Sequence, residues 1–463
     1  MISGMKLAAI IPNPKLTLAM NSKHLFLLLF SSLLLGSCSE DPPELNLDPE
    51  TEILVNILKD EMNSLGKNPL SWSDKDLVFL DKLAGKSVIG LGEATHGSAE
   101  FFDAKHRIFK YLVEKHGYKI FAFEADFGES LFINEAVQKG NASEIEGLMK
   151  SKMHFWTWKT EEVKELLEWM CTYNQGKSDE EKVHYMGMDC QFNTFHPSLV
   201  MEYLNELNVP FLNFADSILQ LAETETQNNF ETFSPASFNS YLEELEALQD
   251  SLTAHKLALV AASSEDDFQL HSRVLEITRQ VSEVRYYWQT QQYATNYRDK
   301  YMAENTLWLR DYFDGEKIVV WAHNGHIADM EYGITGMMGN YLSYALADDY
   351  CTLGFLFSQG SFTAVGTEDS QHSGLGVQVL DTIPKENSLN AIMSYTQEPA
   401  FSIEIKRLQS YLNWFVAFNK DLQYFQMGAV YNNKPGDYYS TFDPFYFDYL
   451  IYFDKSTASV LLE

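Results

Sequence analysis

Four short apolar runs, each ending in ionisable side chains, constrain this chain more than any other feature. Ser87-Val88-Ile89-Gly90-Leu91-Gly92 leads into Glu93-Ala94-Thr95-His96-Gly97, and Tyr118-Lys119-Ile120-Phe121-Ala122-Phe123 into Glu124-Ala125-Asp126. Val183-His184-Tyr185-Met186-Gly187-Met188 leads into Asp189-Cys190-Gln191, and Lys317-Ile318-Val319-Val320-Trp321-Ala322 into His323-Asn324-Gly325-His326. Strands buried on both faces have this near-continuous apolar character. Helical spacing follows the first run, with Phe101, Ala104, Ile108 and Leu112 on one face and Ser98 as a candidate N-cap. The alternation predicts an α/β fold, three layers α/β/α with a mostly parallel central sheet. Ligands of such sheets bind beyond the carboxyl ends of the strands, where all four polar clusters fall.

The remaining chain divides around that core. Residues 51–196 and 317–463 read as its two parts. Residues 197–316 read as a helical insertion covering the strand ends, with few breakers in 268–297 and 301–313. After the fourth run, 351–357 and 446–453 are strand-like, and 360–388, rich in Gly, Ser and Thr, reads as loops. Near the start, Lys23 and His24 precede the apolar stretch 25–35, which is too short to span a bilayer as a helix. With Leu35-Gly36-Ser37-Cys38 it reads as a lipoprotein signal peptide (1–37) resembling a bacterial lipobox, in which Cys38 is acylated; Met1 and Met20 are alternative starts. Residues 38–50, acidic and carrying Pro42, Pro43 and Pro49, read as a tether. Ser39 in place of Asp after the Cys suggests the outer membrane, facing the periplasm or the cell surface. The sequence carries no signal for an oligomeric state.

The formal net charge of −31 argues against nucleic-acid binding and against electrostatic docking on anionic lipid, leaving Cys38 as the membrane contact. Cys171, Cys190 and Cys351 make neither a disulfide framework nor a zinc knuckle. The chain has no Gly-x-Ser-x-Gly elbow, dinucleotide fingerprint, P-loop or His-Glu-x-x-His.

The strand-end residues are the chemical candidates. Glu93 and His96 suit a carboxylate-held general base, with Gly92 and Gly97 allowing a tight turn; a capping loop with two solvated side chains is the alternative. Glu124 reads as a second acid orienting His or water, or as a buried partner of Lys105, Arg107 or Arg298. His323 and His326 read as groups that polarise a carbonyl, or as metal ligands together with His96 and a carboxylate. Asp189 is placed like Glu124, or caps a helix. Lys105 and Arg107 reach back to an anion, or lie on a solvated helix face. The aromatic stretch 153–158 reads as core packing or as a pocket wall.

These motifs, with Arg298-Asp299, Met302, Asn305 and the late 447–452, together resemble the erythromycin esterase family over about 70–455. The resemblance implies hydrolysis of a small-molecule ester, a macrolide's lactone, with no cofactor required, and a role in the response to antibiotic. It makes His96 the base that activates water, gives Glu93 and Glu124 the orienting of base and water, and places His323 and His326 in the same cleft. Lys105, Arg107, Asp189, Asn324 and Arg298 become candidate substrate contacts, with Lys105 at a basic position that is Arg in some members. Asn324-Gly325 replaces the frequent Asn-Ala. Similarity to a wider set with metal-dependent peptidases and haem binders leaves a divalent metal open. A non-catalytic surface lipoprotein binding a ligand in the same cleft is the rival reading.

Overall fold

The computed structural model describes residues 47–290, 294–332, 335–381, 385–386, 388–418 and 422–463. The leader and Cys38 lie outside the described residues. Asp48 accepts the Thr51 N–H at 2.9 Å and caps a helix, Pro49–Glu61, which therefore begins inside the segment expected to be a tether. No helix among the described residues is long and apolar enough to cross a membrane.

Ten strands form one sheet: β1 (Asn63–Ser64), β2 (Val88–Leu91), β3 (Ile120–Asp126), β4 (His184–Asp189), β5 (Ile318–Trp321), β6 (Tyr350–Gly366), β7 (Gly374–Leu380), β8 (Ala400–Glu404), β9 (Val430–Tyr431) and β10 (Tyr449–Ser456). Their order is β1-β8-β10-β6-β2-β5-β3-β4, with β7 and β9 both joined to β6. Pairing is parallel from β10 through to β4, and β1, β7 and β8 are the antiparallel members. The fold is thus mixed α/β, with a large, mostly parallel central sheet flanked by helices. Every residue of β2, β3 and β5 is buried, which accounts for their unbroken apolar sequence.

Register sets the site. Leu91 pairs with Trp321, and Trp321 with Phe123, so the pairing of β5 with β2 and with β3 stops on one rung, while β3 runs on to Asp126 beside β4. The chain steps off that rung at Glu93, His323 and Glu124. Neither Gly92 nor Gly97 has a positive φ. They are needed for close approach: a Cβ on Gly92 would overlap the Asn324 side chain, and one on Gly97 the Thr363 carbonyl. Ser98 sits at the start of helix Ala99–His116, yet its hydroxyl does not cap it and accepts from Ser456 Oγ at 2.7 Å.

Between β4 and β5 the chain is helical: His196–Glu206, Leu212–Gln227, Pro235–Ala254, Lys256–Ala262, Glu265–Thr290 and Ala294–Tyr312. The last is fastened to β4 by Asn305 Nδ2, which donates to the Met188 carbonyl at 2.8 Å. The expectation of loops over 360–388 is corrected. Residues 360–366 continue β6 and pair with β7 as a hairpin, because Phe362, Thr363 and Ala364 are buried while its outer residues Leu375 and Val377 face solvent. The C-terminal residues stitch onto the loop after β2. Ser459 N–H donates to the Gly97 carbonyl at 2.9 Å, and Ala99 N–H to the Thr457 carbonyl at 2.9 Å.

Candidate active site

His96 sits where β2 gives way to helix Ala99–His116. Its Nδ1 lies 2.6 Å from Glu93 Oε1. The other oxygen of Glu93 accepts from Lys105 Nζ and from Trp321 Nε1, each at 2.6 Å. Glu93 and Lys105 are both fully buried, and the ammonium also lies 4.2 Å from the centre of a Trp321 ring. Burial pushes the Glu93 carboxyl upward, but the Lys105 charge and the bond to His96 outweigh it and hold it at about 2. Burial pulls Lys105 down to about 8, with Glu93 offsetting part of the loss. An ionised Glu93 takes the proton-bearing Nδ1 of His96, which leaves Nε2 as the basic nitrogen. Thr157 Oγ1 fixes the same loop by donating to the His96 carbonyl at 2.7 Å.

His323, the first residue after the β5 run, stands edge-on to His96 with ring centroids 5.3 Å apart. Its Nδ1 accepts the Gly325 N–H at 3.2 Å, so the proton of the neutral ring is on Nε2. That Nε2 is buried and has no hydrogen-bond partner among the described residues. Burial, followed by the neighbouring His96 and His326, lowers the ring to about 3 and keeps it neutral at physiological pH.

A second charged cluster lies behind the two rings. Glu124 Oε2 accepts the backbone N–H of His323 at 2.8 Å, and its Oε1 accepts from Arg298 Nη2 at 2.6 Å. Arg298 also grips Asp189 with two bonds, of 2.9 and 2.8 Å. His326 lies 3.2 Å from both Glu124 Oε1 and Arg298 Nη1, and its Nδ1 meets Asp299 at 2.7 Å. Burial disfavours the His326 cation, but Asp299 and Glu124 outweigh it and raise the ring to about 10. Glu124 is held well below the usual carboxylate range, since the charges of His326 and Arg298 overcome its burial.

The candidates therefore separate. His96, Glu93 and His323 face one another, with Glu124, His326, Arg298 and Asp189 packed behind. Glu124 was expected to orient the base or water, but both its oxygens are committed to Arg298, His326 and the His323 backbone. Four of the expected substrate contacts need correction. Arg107 points away, donating to the Trp72 carbonyl at 2.8 Å and to Asp74 at 2.7 Å. Lys105 is sealed beneath Glu93. Asn324 is fully buried and clamps Phe355, donating to its carbonyl at 2.8 Å and accepting its N–H at 3.0 Å. Asp189 is fully buried too, holding Arg298, the Cys190 N–H and Gln191 Nε2 rather than capping a helix. Trp158 packs on Phe123 and Trp321 as core.

Sequence reasoning gave no role to Asp299, which anchors His326, or to the buried Asp126 and Glu129. Asp126 caps helix Phe127–Lys139 through the N–H groups of Gly128 and Glu129. Burial raises both carboxyls, helped at Asp126 by the charges of Glu129 and Asp189 and at Glu129 by that of Asp189, which brings Glu129 to about 8. The residues do not fit a divalent metal. Among the described residues no three His, Cys, Asp or Glu side chains converge as ligands, and Nδ1 of His96, Nδ1 of His323 and both nitrogens of His326 are already engaged.

A family model for erythromycin esterase matches residues 113–456. The chain belongs to the erythromycin esterase family. The type II erythromycin esterase of Escherichia coli is 27% identical over 350 residues, covering 69% of this chain and 81% of that one. A solved structure from Bacillus cereus superposes with a TM-score of 0.75 at 22% identity, over 89% of this chain and 99% of that one. A mutant of the erythromycin esterase EreC in its open conformation gives 0.64 at 16% identity, over 86% and 97%. These two structural likenesses establish the shared fold, and family membership makes the chain an esterase-like hydrolase with a small-molecule ester as its class of substrate.

Proposed function

We propose that the chain hydrolyses a carboxylic ester, a macrolactone being the substrate class its family suggests, by direct attack of water. One observation carries the reading: His96, with Nδ1 tied to an ionised Glu93 and Nε2 left as its basic nitrogen, stands edge-on to His323, whose buried Nε2–H has no partner among the described residues. His96 Nε2 takes a proton from water as the oxygen attacks the carbonyl carbon. Glu93 stabilises the imidazolium that forms. The carbonyl oxygen becomes an oxyanion and accepts the His323 Nε2–H. Collapse of the tetrahedral species breaks the ester C–O bond, and the imidazolium returns its proton to the departing alkoxide.

The test is an ester panel that includes macrolactones, assayed with and without chelator. Turnover should survive chelation. His96→Ala should abolish it with the thermal melt nearly unchanged, and His323→Ala should lower kcat by about 10²–10³. Retained turnover in His96→Ala removes the base from its role. The proposal extends to location: Cys38 acylation anchors the protein outside the cytoplasm. Cys38→Ala should then move it from the membrane to the soluble fraction, and an unchanged distribution would refute the anchor.

A further inference from the structure

The segment between residues 425 and 430 crosses in front of His96. Met427 N–H donates to the Ala94 carbonyl at 2.6 Å, and Val365 N–H takes the Ala429 carbonyl at 2.8 Å, so both sides of Gly428 are pinned, one to the base loop and one to β6. Among the described residues other than its two chain neighbours, a Cβ built on Gly428 would have within 4 Å only His96, at 3.6 Å from Nε2 and 3.7 Å from Cδ2. Two ordinary reasons for a glycine are missing here. Its φ is not in the left-handed region, and among the described residues beyond its chain neighbours no backbone atom lies where the side chain would go. Any L-residue can adopt this backbone, and the space a side chain would fill borders the basic nitrogen.

We infer that Gly428 is a specificity-determining residue, whose missing side chain leaves room beside His96 Nε2 for a bulky substituent on the scissile ester. The inference rests on the esterase reading. A carbonyl carbon attacked by water held at His96 Nε2 must come close to this space, so a group attached to it competes for room with a side chain at 428. The substrate class it admits is an ester branched or encumbered next to its carbonyl, and small esters make less use of the clearance. Because the chain on either side is pinned, the loop cannot retreat from a larger side chain, so obstruction grows with size.

The experiment is the series Gly428→Ala, Val and Phe in the whole protein, with two readouts. The first is turnover of p-nitrophenyl acetate against p-nitrophenyl pivalate. The melt should hold across the series, and the pivalate-to-acetate ratio of kcat/KM should fall stepwise, by roughly tenfold or more at Phe. The second needs no turnover: carbethoxylation of His96 by diethyl pyrocarbonate, followed by peptide mass mapping, with exposed His372 as internal control. The Phe variant should protect His96 about tenfold and leave His372 unchanged. An unchanged ester ratio together with unprotected His96 overturns the inference. His96→Ala separates the two levels: if it is inactive while the Gly428 series is flat, the esterase reading stands and the role of Gly428 falls. If it retains turnover, the reading itself falls, whatever the series shows.

Discussion

Removing the Lys105 ammonium would leave Glu93 ionised in a buried site, with Trp321 and His96 as its remaining donors among the described residues. Lys105→Met should therefore cost about 3–5 kcal/mol in urea unfolding, the range for a buried charge that loses its partner. The companion Glu93→Gln, Lys105→Met variant should recover much of that stability and stay inactive; equal stability of the two variants would refute the coupling. The titration of His326 has the opposite sense to that of Glu93. Its folded value is raised from 6.5 to about 10, so its stabilisation is complete below 6.5 and is lost as pH climbs through 10. Glu93 is depressed from 4.5 to about 2, so its share is present above 4.5 and is lost as pH falls toward 2. Asp299→Asn should flatten the alkaline loss in a melt-versus-pH series, and an unaltered alkaline limb would dissociate Asp299 from the His326 charge. What the sequence offered at this scale was residue type and position. The pairing of Glu93 with His96 is readable three residues apart in the chain. The partners of Arg298, 109 residues from Asp189 and 174 from Glu124, are not, because only tertiary packing chooses among buried cations.

At the scale of elements, helix Phe127–Lys139 opens on Asp126 and Glu129, two carboxyls that burial raises. Glu129, raised from 4.5 to about 8, keeps its proton where the unfolded chain has lost it, so stability falls as pH rises from 4.5 to 8. Glu129→Gln should remove most of that slope in melts between pH 5 and 9, and a slope as steep as the parent's would count against a protonated Glu129. The apolar runs announced β2, β3, β4 and β5 because strands buried on two faces leave little room for polar residues. The hairpin of β6 and β7 escaped notice for the converse reason: it is half-exposed, and its glycines and serines imitate a loop. Asn324 escaped as well. A polar residue beside two histidines looks like a ligand contact until its amide is seen bridging to Phe355. Asn324→Ala would strand the Phe355 N–H and carbonyl, costing about 2–4 kcal/mol by chemical unfolding and leaving residual turnover.

Across the whole molecule, the cleft draws on segments from Glu93 to Gly428, and its first loop is held by the far end of the chain. Ser459 N–H closes on the Gly97 carbonyl, and Thr363 Oγ1 on the Ser459 carbonyl at 2.7 Å. No periodicity in the sequence foretells such a clasp, since apart from the Thr363 hydroxyl it is made by backbone groups that every residue carries. Deleting residues 457–463 should leave most of the sheet formed by circular dichroism but depress turnover through the unfastened His96 loop; full activity in that variant would deny the clasp a part. Because residues 457–459 help hold the loop that carries His96, fraying of that segment would loosen the base while the sheet stays formed.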